Sequence, residues 1–86
     1  MQQSISFTCW DKDQPLEVQL EPEAILFKIL PRNELTFVAE SDKEFKWTIR
    51  VDNNMKALQI FPDSVHPFQL TIYENAQLLE DWYKYM

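Results

Sequence analysis

The sequence predicts a mainly β fold: an antiparallel meander of about seven strands, curled into a small sandwich or partly open barrel and closed by one C-terminal α-helix. Apolar residues recur at every second position through seven successive segments, which is the period of a half-buried strand. Asn, Asp and Pro residues stand in the gaps between them, where their backbone preferences favour turns. After residue 75 the apolar spacing changes to that of a helix.

The first segment, Ser4 to Trp10, puts Ile5, Phe7 and Cys9 on one face, and the second sets Leu16, Val18 and Leu20 against Glu17, Gln19 and Glu21. In the third, Ile25, Phe27 and Ile29 alternate with Leu26, Lys28 and Leu30, so both faces are largely apolar. Such a strand is expected at a sheet centre or covered on both sides. The fourth, Glu34 to Glu40, is expected to pair with the third through a turn at Arg32-Asn33-Glu34, with Asn33 left-handed, Ile29 opposite Phe37 and Phe27 opposite Ala39. A tight turn at Asn53-Asn54 would set Val51 opposite Lys56, Ile49 opposite Leu58 and Trp47 opposite Ile60. Pro62 and Pro67 bracket the next loop, because neither can donate to a ladder. Phe68, Leu70 and Ile72 are the inward stripe of the last strand.

From Asn75, a predicted N-cap, helical spacing over 76–86 gathers Leu78, Leu79, Trp82, Tyr83, Tyr85 and Met86 on one arc. At about eleven residues such a helix is too short to stand alone and must dock by that face. One domain over 1–86 accommodates all of this, since 86 residues support one core. The succession of seven strands and one Trp-bearing helix resembles the layout of a pleckstrin-homology-like sandwich. The turn Asp11-Lys12-Asp13-Gln14-Pro15 is acidic where phosphoinositide binders are basic, so the resemblance does not imply lipid recognition.

Glycine is absent, which excludes the phosphate-cradling loops that need close backbone approach. Fourteen acids against eight bases give a net charge of −6, a field that repels nucleic acid and anionic membranes. Nine of those acids and four of the bases fall in residues 1–44, so the N-terminal half makes the field. A lone Cys9, the lack of a signal-like start and the lack of a bilayer-length apolar run point to the cytoplasm.

Cys9 and His66 are the only thiol and imidazole, and nothing in their spacing predicts the contact a nucleophile and its base require. Asp11 and Asp13 lack the further ligands and the bend glycine of a calcium loop, and one His with one Cys cannot assemble the usual zinc site. No catalytic residue, cofactor or metal is therefore expected. Trp47 is expected in the core, and Trp10 and Tyr73, opposite their main stripes, are expected to be covered within the fold. The expected function is that of a non-enzymatic acidic module of inhibitor, immunity or adaptor type, monomeric or homodimeric. It would engage a basic protein surface through Trp10, Asp11, Asp13, Glu17, Glu21, Glu40, Asp42 and Glu44. The alternative is a carrier holding a small apolar ligand inside the curled sheet.

Overall fold

The computed structural model describes residues 2–21, 24–52, 57–64 and 66–80. They form eight strands: β1 (Gln2–Thr8), β2 (Leu16–Leu20), β3 (Ile25–Ile29), β4 (Glu34–Glu40), β5 (Lys46–Asp52), β6 (Ala57–Asp63), β7 (Gln69–Glu74) and β8 (Gln77–Leu78). The strands make two four-stranded sheets, ordered β1-β4-β7-β8 and β3-β2-β6-β5, and no closed barrel forms among the described residues.

The chain is mainly β as expected, but it is not a meander. Among the described residues only β2–β3, β5–β6 and β7–β8 pair as sequence neighbours, and β2 runs parallel to β6 from Val18↔Leu58 to Leu20↔Ile60. The expected hairpin of the third and fourth segments does not form, since β3 and β4 enter different sheets. Between them Arg32, not Asn33, takes the left-handed conformation, with φ 75°. Cys9 N donates to Asn33 O at 2.9 Å and Arg32 N to Cys9 O at 2.8 Å, which ties this crossing to the end of β1. Nor is β3 central: it is an edge strand, with Leu26 exposed on its outer face and Leu30 exposed just past its end.

β5 and β6 pair as expected but slipped by two residues, with Val51 opposite Leu58, Ile49 opposite Ile60 and Trp47 opposite Pro62. A slip of two keeps every side chain on its face; the expected turn at Asn53-Asn54 lies outside the described residues. Pro62 belongs to β6 rather than to a loop, and the β2 ladder stops at Ile60 before reaching it.

The predicted C-terminal helix is replaced, over its first described residues, by the β7–β8 hairpin. Asn75 and Ala76 have φ of 52° and 68°, the pair of left-handed residues that makes the tightest hairpin turn. That turn reverses the chain before a helical turn can close, setting Tyr73 opposite Leu78 and Glu74 opposite Gln77, while Leu79 N donates to Ile72 O at 2.7 Å. Residues 81–86 of the predicted helix lie outside the described residues. The layout behind the resemblance to a pleckstrin-homology-like sandwich, seven strands and a helix, is thus not what the described residues form.

The core lies between the sheets. Phe7, Leu35, Phe37 and Ile72 from the first meet Val18, Leu20, Ile25, Phe27, Ile29 and Ile60 from the second. Phe37 is at the centre, edge-on to Phe27 at 5.4 Å, Phe7 at 6.0 Å and Trp47 at 6.3 Å between ring centroids. Trp47 then touches Phe45, and Phe45 touches Phe68, so rings run continuously to one end of the sandwich. Each such side chain, fully buried, contributes about 1.5–3 kcal/mol relative to exposure.

Candidate functional site

The β1–β2 loop, Cys9 to Pro15, is held from three sides. Cys9 is 2% exposed, and its Sγ donates to Gln14 O at 3.3 Å, so the loop's two ends are drawn together over the core. Within it Trp10 N donates to Asp13 Oδ2 at 2.9 Å and Asp13 N to Trp10 O at 3.0 Å. This reciprocal pair gives the loop the short-range order that Asp supplies in turns. From the β3–β4 connection Arg32 Nε donates to Asp11 Oδ1 at 2.6 Å. Both partners are exposed, so the ion pair adds at most about 1 kcal/mol, and its effect is chiefly to orient the loop.

The side chain this scaffold displays is Trp10, 72% exposed. The expectation that the fold would cover it is therefore wrong. Tyr73, of which the same was expected, is half-buried. Trp10 falls outside the core because β1 ends at Thr8 and Cys9 is the last inward residue of that stretch, so the chain leaves the sheet with Trp10 facing outward.

The eight residues predicted to bind a partner do not share one face. Trp10, Asp11 and Asp13 lie together at the end where Thr8 pairs with Glu34. Glu40, Asp42 and Glu44 are exposed at the other end, where Gln2 pairs with Glu40. The two groups are separated by the length of β4, about 20 Å at ~3.4 Å per residue. Glu17, in β2 of the second sheet, and Glu21, just past its end, are half-buried. Glu17 stands opposite Lys28, and Glu21 accepts from Gln19 Nε2 at 2.6 Å and Gln59 Nε2 at 3.3 Å. Those two carboxylates serve the sheet's outer face.

Arg32 is the site residue that sequence reasoning missed. Its charge was legible, but its partner is 21 residues away, and no local spacing encodes that contact. Cys9 and His66 are set apart, Cys9 under the Trp10 loop and His66 beside a cleft with Glu44, Lys46 and Asp63 at the opposite end. Among the described residues no group of three or more His, Cys, Asp or Glu could hold a metal ion, and no helix is long and apolar enough to cross a membrane. No protein-family model, curated protein or solved structure matches the chain.

Proposed function

We propose that this chain is a non-enzymatic protein-binding module of inhibitor, immunity or adaptor type, and that it engages a basic protein surface through the loop carrying Trp10, Asp11 and Asp13. The observation that carries this reading is the exposure of Trp10 on a loop whose backbone is already tied down. A large aromatic held this way loses little freedom on binding, which is why tryptophan dominates interface energetics. The flanking carboxylates fit a cationic partner: Asp11 engages a guanidinium within the chain, and a lysine or arginine over the indole face adds about 0.5–2 kcal/mol depending on desolvation. The net charge of −6 steers such a partner in and turns nucleic acid and anionic membranes away. The unpaired thiol of Cys9 fits a reducing compartment, the cytoplasm. The apolar-carrier reading is not favoured, because Phe37, Leu20, Ile25, Ile60, Ile72 and Val18 fill the space between the sheets where a ligand would sit.

The test is affinity capture from native cell extract, comparing the wild type with two variants. Trp10→Ala removes the indole and leaves both backbone hydrogen bonds. Asp11→Asn with Asp13→Asn keeps both acceptors and removes their charge. A partner held by the wild type is expected to bind at least tenfold more weakly to either variant, since loss of a hot-spot residue costs 2 kcal/mol or more, and to be released by moderate salt. Capture unaffected by both variants, or lost only when Glu40, Asp42 and Glu44 are neutralised, refutes this assignment.

A further inference from the structure

We propose that β5 is the contact surface for a second copy of this chain, which pairs antiparallel with it about a two-fold axis at Ile49 and extends the second sheet across both subunits. Strand β5 ends its sheet, and among the described residues no strand pairs with its outer edge. At seven residues it is among the longest strands present, and a long unpaired edge is a template for another strand. Its inward stripe is also uncovered beyond Trp47: Ile49 is 49% and Val51 61% exposed, although both point to the side of the sheet that carries the core.

The sequence of β5, Lys46-Trp47-Thr48-Ile49-Arg50-Val51-Asp52, is complementary to its own reverse in one register. Centred on Ile49, that register brings Lys46 of each copy opposite Asp52 of the other, and Thr48 opposite Arg50. On the core side Ile49 meets Ile49 and Trp47 meets Val51. Opposite charges facing across a ladder stabilise it and like charges destabilise it. Centring on Thr48 sets Lys46 against Arg50, and centring on Arg50 sets Arg50 against itself, while a one-residue slip would turn apolar residues to the wrong face. The other edge of the sheet lacks this property. In β3, pairing about Phe27 makes no rung of opposite charge, and pairing about Lys28 puts Lys28 on Lys28. A self-complementary patch is what a two-fold interface requires.

Sedimentation of the full chain across a concentration series tests the proposal. The mass is expected to rise from 10.4 kDa toward twice that value, and Ile49→Lys is expected to abolish the rise by placing like charges on the axis. Lys46→Glu and Asp52→Lys decide the matter independently of any damage to the fold. Each alone faces like charge at both ends of the ladder and is expected to be monomeric, whereas an equimolar mixture of the two regains dimer. Opposed residues in an antiparallel pair have Cα atoms about 4.5–5.5 Å apart, within disulfide range. Ile49→Cys is therefore expected to cross-link on mild oxidation, and Val51→Cys, more exposed but several rungs from its own copy, is not. A chain that stays monomeric throughout, a mixture that does not associate, or cross-linking as fast through Val51→Cys overturns the proposal.

Discussion

Among the described residues four hold left-handed backbone, in a chain without glycine: Ala24, Arg32, Asn75 and Ala76. Asn75 offsets that cost with its side chain, which accepts a hydrogen bond from Glu34 N at 2.9 Å and donates to Asn33 Oδ1 at 3.0 Å. Ala76 has no polar atoms to do the same, and the left-handed region costs an L-residue about 1–2 kcal/mol. Ala76→Gly is expected to stabilise the protein by about 1 kcal/mol after the greater freedom of glycine in the unfolded chain is discounted, raising the Tm by roughly 4–8 °C. Asn75→Ala, which removes the exposed bond from the Glu34 N–H, is expected to lower stability by about 0.5–1.5 kcal/mol. Thermal melts of the two variants check both signs. That Asn75 interrupts the chain's pattern was legible in the sequence. What it interrupts was not, because an Asn side chain that accepts a backbone N–H suits a helix N-cap and a left-handed corner equally, and its donor here is 41 residues away.

At the scale of elements, alternation showed which side chains face inward and said nothing of which strand lies beside which. The stripes Val18-Leu20, Ile25-Phe27-Ile29 and Phe37-Ala39 are buried as their period requires, yet β3 lies beside β2 and β4 between β1 and β7. Both faces of β3 are apolar, which suggested a central strand. The structure instead leaves Leu26 and Leu30 exposed, with Leu26, Phe27, Leu35 and Leu79 lining a cleft at that edge. Strand β4 is the element on which the packing turns, since Phe37 touches aromatic residues of β1, β3 and β5. Phe37→Ala is expected to cost about 3–5 kcal/mol, much of the ~5–15 kcal/mol that holds a small domain together. Phe37→Leu, which keeps most of the volume, is expected to cost less. Urea titration checks this: the midpoints should fall in the order wild type, Leu variant, Ala variant, with the slope unchanged.

At the scale of the molecule, the sign and size of the charge were legible from composition, and its division between two ends was not. The halves of the sequence do not correspond to faces of the fold, because β1 and β4 run antiparallel and send Asp11 and Glu40 to opposite poles. The parallel ladder of β2 and β6 has a kinetic consequence. Val18 and Leu58, forty residues apart in sequence, must meet before the second sheet exists, whereas the β2–β3 and β5–β6 hairpins can each form within microseconds. Joining them requires closing a long loop before any contact rewards it. Refolding followed by Trp fluorescence is expected in milliseconds to seconds, slowed further by Leu58→Ala; a microsecond relaxation would contradict this. During that interval two finished ribbons wait with greasy faces bare to water, so recovery of native protein should fall as refolding is carried out at higher concentration.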